Sequence, residues 1–155
     1  FRRLGKDKTG GLWVLQDDIL WLDLEQVTFV RYPNDLKAEL GEQYRFMTCL
    51  FIDSKDQLWV GSEIGPRVYA IPDMNPLPVP SWTDIPLSGN EIWQMAEDAS
   101  GKIWMTTQQR GIQVYDPASR SYKNIRMKDG LLSDQTYNIL IDHNDDAWIP
   151  TFKTK

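Results

Sequence analysis

Four aspartates, Asp7, Asp53, Asp98 and Asp142, each stand six residues ahead of a tryptophan, at Trp13, Trp59, Trp104 and Trp148. Carboxylates are the only acid–base groups that this chain supplies in repeated register, because His143 is its one histidine and Cys49 its one cysteine. A Ser-His-Asp or Cys-His nucleophile has almost nothing to draw on, which leaves carboxylate chemistry as the catalytic option. An Asp repeated at a turn has a plainer occupation, the acceptance of backbone N–H bonds, and these four are expected to be structural. Asp142, Asn144, Asp145 and Asp146 offer the oxygens of a calcium loop but lack the Gly of its sharp turn and its closing bidentate Glu. No metal or other cofactor is expected. Cys49 reads as a small buried apolar residue; alone it forms no intrachain disulfide, and with a single histidine it builds no structural zinc site.

The elements that carry the aspartates follow from the residues around them. The Asp-to-Trp phrases run Asp7-Lys-Thr-Gly-Gly-Leu-Trp13, Asp53-Ser-Lys-Asp-Gln-Leu-Trp59, Asp98-Ala-Ser-Gly-Lys-Ile-Trp104 and Asp142-His-Asn-Asp-Asp-Ala-Trp148. Each is a run of turn-forming polar residues closed by an apolar residue and an aromatic, which predicts strand, hairpin turn, strand. The tryptophans recur at steps of 46, 45 and 44 residues. Within one period the pattern continues: Ile92–Glu97, Ile103–Thr107, Ile112–Tyr115 and Ser121–Ile125 each read as a strand, and Pro117 stops the third. The first copy supplies Leu12–Leu15, Ile19–Leu22 and Val27–Val30. The second supplies Cys49–Ile52, Leu58–Gly61, Val68–Ile71 and a disturbed fourth strand near Trp82–Ile85.

A four-stranded antiparallel meander repeated every ~45 residues is the pattern of a β-propeller blade, whose sheets pack face to face around an axis. The chain is expected to be all-β, a propeller fragment of about three and a half blades. Residues 1–46 form blade 1, with a doubtful inner strand in Phe1–Lys6. Residues 47–91 form blade 2, with a Pro-rich insertion at 72–86; 92–135 form blade 3; and 136–155 form the first half of blade 4. One Trp per blade is expected to fill the wedge between neighbouring sheets, where a large flat side chain buries much area. So few blades do not close a ring, which predicts neighbouring blades in a larger parent and, for the fragment, self-association into a homodimer or more through open edges.

The runs Asn90-Glu-Ile-Trp-Gln-Met-Ala-Glu-Asp-Ala-Ser-Gly-Lys-Ile-Trp104, Gly111-Ile-Gln-Val-Tyr-Asp-Pro117 and Asp129-Gly-Leu-Leu-Ser-Asp-Gln-Thr-Tyr-Asn-Ile139 resemble the two-component regulator propeller repeat. The likeness extends over all four copies. It implies the periplasmic sensor region of a hybrid two-component histidine kinase of Bacteroides-type bacteria, in which tandem propellers bind oligosaccharides from polysaccharide breakdown. The kinase, receiver and DNA-binding modules that such a receptor uses have no counterpart in this sequence. Where the usual Trp-Ile-Gly-Thr phrase has Gly, the second copy keeps it as Gly61, and the others depart with Leu15, Thr106 and Pro150.

In a propeller, the loops joining second to third strand and those joining one blade to the next open at the same mouth. Arg45, Arg67, Trp93, Gln108, Arg110 and Tyr137 fall in or beside such loops and suit a sugar. Aromatic faces cover the apolar side of a pyranose, while Arg and Gln answer hydroxyls or carboxylates. Three Arg at one mouth favour an acidic saccharide. A second reading stands for Trp93 and Tyr137 as channel-lining core, and another for Arg45 as a solvated loop residue. The primary expectation is a non-catalytic ligand-binding sensor; a carbohydrate-active propeller lyase or hydrolase and a protein-interaction scaffold are the alternatives. The net charge of −5 argues against general nucleic-acid binding. No apolar run approaches the ~20 residues of a membrane span, so no membrane insertion by this region is expected.

Overall fold

The computed structural model describes residues 4–15, 19–31, 47–62, 65–71, 75–76 and 91–150. They form three four-stranded antiparallel meanders and one two-stranded hairpin, each sheet ordered as its strands follow in sequence. The first sheet is β1 (Leu4–Lys6), β2 (Leu12–Leu15), β3 (Ile19–Asp23) and β4 (Thr28–Arg31). The second is β5 (Met47–Ile52), β6 (Gln57–Ser62), β7 (Arg67–Ala70) and β8 (Asn75–Pro76). The third is β9 (Ile92–Glu97), β10 (Ile103–Thr107), β11 (Ile112–Asp116) and β12 (Ser121–Ile125), and the hairpin is β13 (Leu140–Ile141) with β14 (Ala147–Trp148). This is the expected blade pattern. The doubtful first inner strand is present as β1, paired with β2 over Leu4↔Val14 to Lys6↔Leu12.

The outer strand of blade 2 differs from expectation. Asn75–Pro76 pairs with Tyr69 and Ala70 in that place, ahead of the Trp82–Ile85 segment, which lies outside the described residues along with most of the Pro-rich stretch. Proline cannot donate to a ladder, so it suits this outermost edge.

Each Asp-to-Trp phrase closes its hairpin in one way. The Asp N–H donates to the carbonyl four residues on, and the N–H three residues on donates back to the Asp carbonyl, in all four copies. That third residue has a left-handed backbone: Gly10 at φ 94, Asp56 at 63, Gly101 at 80 and Asp145 at 67. A type I turn followed by a left-handed residue suits the twist of a hairpin, and Gly and Asp bear that conformation more readily than most. One carboxylate oxygen accepts the N–H groups two and four residues on, at 2.8–3.0 Å. The other accepts the Trp indole N–H at 2.8 Å in every copy.

In blade 1 the Trp21 indole also donates to Asp7, at 3.0 Å. The close approach explains Gly11, where an added Cβ would fall 1.9 Å from Trp21 Nε1.

Two of the pinned tryptophans, Trp13 and Trp59, pack between sheets. Blade 1 gives Trp13, Leu15 and Ile19 to a core shared with Met47, Leu50, Leu58, Val60 and Tyr69 of blade 2. The opposite face of blade 2 gives Cys49, Phe51, Trp59 and Val68 to a second core with Ile92, Met95, Ile103, Met105 and Tyr115 of blade 3. Alternate residues of one strand thus feed two cores, which is why β5 and β6 are buried almost throughout. Trp13 is 1% exposed and Trp59 2%, whereas Trp148 is 62% exposed. The wedge role is realised wherever a described sheet covers the indole.

Burial raises the Asp7 carboxyl, but hydrogen bonds from Thr9, Trp13, Trp21 and Gly11 outweigh it and hold the pKa below the ordinary 3.8. Asp98 is lowered in the same way, its burial offset by Trp104, Ser100 and Lys102. A carboxyl depressed on folding supplies stability above its unfolded pKa and loses it as the pH falls through and below that value. Asp7→Asn places an NH2 or an oxygen, but not two acceptors, against the indoles and turn N–H groups. It should lower stability in urea titrations at pH 7 by about 2–3 kcal/mol and flatten the loss of stability below about pH 4.

A second expectation concerns Val27, 77% exposed with φ 53 in the β3–β4 turn. A β-branched residue is strained there, so Val27→Asn should raise the urea midpoint, equivalent to about 0.5–1 kcal/mol.

Candidate functional site

Two ends of the blades must be distinguished. The Asp hairpins, which join first to second strands, occupy one end. The β10–β11 loop and the link between blades 3 and 4 occupy the other.

At that second end the β10–β11 loop is fastened to both links that flank it. Gln108 N–H donates to Glu91 O at 3.1 Å, just before β9, and Thr136 N–H donates to Thr107 O at 3.0 Å, just before β13. The Thr136 hydroxyl completes the second fastening, donating to Gly111 O at 2.8 Å or Thr107 O at 3.2 Å and accepting from Thr107 N–H at 3.1 Å. Thr107 Oγ1 in turn donates to Gly111 O at 2.8 Å and accepts from Arg110 N–H at 2.9 Å. Thr106, Thr107 and Thr136 are all fully buried, so this polar network is satisfied where water does not reach. Gly111 needs its left-handed φ of 69 and its missing side chain, since a Cβ would meet Ile125 O at 2.2 Å.

Of the six residues with sugar-binding chemistry, the structure brings Trp93, Gln108, Arg110 and Tyr137 to this corner. Trp93 and Tyr137 are half-buried, and their rings meet edge to face with centroids 5.4 Å apart, across the junction of blades 3 and 4. Their equivalent in blade 2 is Thr48, whose hydroxyl donates to Ile92 O. Gln108 and Arg110 are half-buried in the loop beside them. Arg67 opens β7 opposite Val60, on the neighbouring blade, with no described contact to the other four. Arg45 lies outside the described residues.

Arg126 and Asp134 escaped the sequence reading. The Arg126 Nε and Nη2 donate to Asp134 Oδ2 at 3.1 and 2.9 Å, and Met127 N–H donates to Asp134 Oδ1 at 2.8 Å. This pair closes the loop between blades 3 and 4 around the 3-10 turn Met127–Asp129. The signal available was an Arg eight residues before an Asp across Asp-Gly-Leu-Leu-Ser, a spacing with no fixed chemistry until the turn is known.

The repeated aspartates sit at the far end, with their oxygens committed to turns and indoles. Burial pushes the Cys49 thiol up to about 12, so it stays protonated at neutral pH. Burial also raises the Tyr115 and Tyr122 phenols, whose rings stack at 4.6 Å inside the blade. Among the described residues no three His, Cys, Asp or Glu side chains group as a metal site. No described helix is long and apolar enough to cross a membrane.

Thr136→Val keeps the shape but removes the hydroxyl that ties Thr107 to Gly111. It should cost about 1–2 kcal/mol in denaturant titrations and speed hydrogen exchange at Thr107 and Arg110 before other amides respond.

Residues 86–109 match the two component regulator propeller. Among solved structures, the extracellular domain of BT4673, described as a hybrid two component system of B. thetaiotaomicron, superposes with a TM-score of 0.69 at 19% identity. That of BT3049, described in the same words, gives 0.63 at 17%, and virginiamycin B lyase from Staphylococcus aureus gives 0.65 at 16%. These matches cover 94, 92 and 94% of this chain but only 21, 18 and 47% of the other chains. No curated protein sequence matches. At such identities the shared property is the fold, and the chain is a run of β-propeller blades in which residues 86–109 carry the two-component regulator propeller repeat.

Proposed function

We propose that these blades belong to a non-catalytic, extracytoplasmic sensor propeller of a hybrid two-component receptor, located in the periplasm, that recognises oligosaccharides from polysaccharide breakdown. The observation that carries this reading is the mouth corner. There the Trp93–Tyr137 pair stands beside Gln108 and Arg110 on a loop fastened to both flanking links. Ring edges and faces can cover a pyranose while the amide and guanidinium answer its hydroxyls or a carboxylate. A fixed loop lowers the ordering cost of binding. The likeness to extracellular domains of two-component systems supports the location and the sensor role. The guanidinium of Arg110 favours an acidic saccharide.

A propeller enzyme is the second reading, favoured by the fold likeness to virginiamycin B lyase. Calorimetric titration with neutral and uronic-acid oligosaccharides, with chromatography of the recovered sugar, separates the possibilities. The expected result is binding of an acidic saccharide that is recovered intact, weakened about tenfold or more by Trp93→Ala or Arg110→Ala. Cleaved sugar would establish the enzyme reading, and absence of binding across the panel would leave an interaction scaffold.

A further inference from the structure

Neighbouring hairpins at the end opposite the mouth are joined by one recurring hydrogen bond. The N–H one residue after the repeated Asp donates to a carboxylate of the next blade. Lys8 N–H reaches Asp56 Oδ1 at 3.1 Å, and Ala99 N–H reaches Asp145 Oδ1 at 2.7 Å. In both cases the acceptor is the left-handed residue three positions after the next blade's own Asp.

Blade 3 has Gly101 at that position and offers no carboxylate there. Glu97, the residue just before Asp98, takes over: its Oε2 accepts from Ser54 N–H at 2.6 Å and its Oε1 from the Ser54 hydroxyl at 2.7 Å. One bond is thus met from either of two places. The joint requires an acid rather than a particular residue.

The same rule can be read at the two outward faces. On blade 4 the corresponding donor is His143 N–H, which has no acceptor among the described residues, and the nearby Trp148 indole is exposed where those of blades 1 and 2 are buried. On blade 1 the two acceptor places are held by Gly10 and Lys6, so that face offers no carboxylate and a cation instead.

We infer that the carboxylate at one of these two places decides whether a blade can follow another at this joint. The outward face of blade 4 fits a propeller blade with Asp or Glu at either place, and does not fit blade 1 of a second copy. The inference continues an interface that the chain builds three times, and it is independent of what the mouth binds. A charge-assisted N–H···O bond is worth more than a neutral one, and the wrong face sets an ammonium group against an N–H donor, so mispairing is disfavoured by more than the missing bond.

Two measurements on the whole chain test this, both by amide hydrogen exchange in NMR, with far-UV circular dichroism confirming the fold. Within the chain, Glu97→Ala should speed exchange of the Ser54 amide about tenfold, and adding Gly101→Asp should restore it, because Asp is accommodated at that φ in the other blades. A folded double variant without restoration overturns the rule.

Between chains, the His143 amide of the native protein should exchange at a rate independent of protein concentration. Gly10→Asp or Lys6→Glu, each supplying one form of the acceptor, should make its protection rise with concentration as sedimentation shows head-to-tail growth. Concentration-dependent protection of His143 in the native chain, or no change in either folded variant, overturns the selection.

Discussion

A carboxylate has two oxygens, and every blade of this protein uses both for different purposes. One gathers the N–H groups of the hairpin turn, and the other holds an indole N–H at 2.8 Å. The first fixes the backbone path between two strands. The second fixes the orientation of the largest side chain on the second strand, and burial follows where a neighbouring sheet covers it. Trp carries only one donor, and burying it unpaired would cost about 1–3 kcal/mol; the Asp removes that cost while leaving the rest of the ring apolar for packing. The cores on both sides of blade 2 depend on this arrangement, because Trp13 belongs to one and Trp59 to the other.

Most of the architecture was legible in the residues for the same reason. The Asp, the Gly or Asp three residues later and the Trp six residues later impose their spacing through covalent geometry and hydrogen bonding alone, so the period survives whatever else varies. Strand limits in the third copy follow from its alternation and from Pro117. The pairing of Asn75 and Pro76 with Tyr69 and Ala70 was not legible because it uses the main-chain groups of a dipeptide with no strand propensity. Edge pairing of that kind leaves no mark in side-chain pattern.

The candidate site was legible only in part. Loop position plus residue type picked out Trp93, Gln108, Arg110 and Tyr137, and topology brings them to one corner. The ring contact between Trp93 and Tyr137 joins residues 44 apart in sequence, at matching positions of successive blades; the period marked the positions as equivalent, and the contact itself is visible only in the structure. The Thr107–Thr136 network and the Arg126–Asp134 pair were not visible. Threonine in a strand reads as ordinary β composition, and a salt bridge across a loop depends on a turn whose shape Gly130 sets with φ 109.

The hairpin pins and the mouth lie at opposite ends of the same short strands, and they share no side chain. What holds the hairpins in register is therefore insulated from the loop corner of Trp93, Gln108, Arg110 and Tyr137. Substitutions among the loop residues can accumulate without disturbing the pins, and a duplicated blade carries its own pins with it. Such a layout lets one end of the blades change while the other stays constant. Variation among copies of this repeat should then concentrate at the loop end of the blades while the hairpin end stays recognisable.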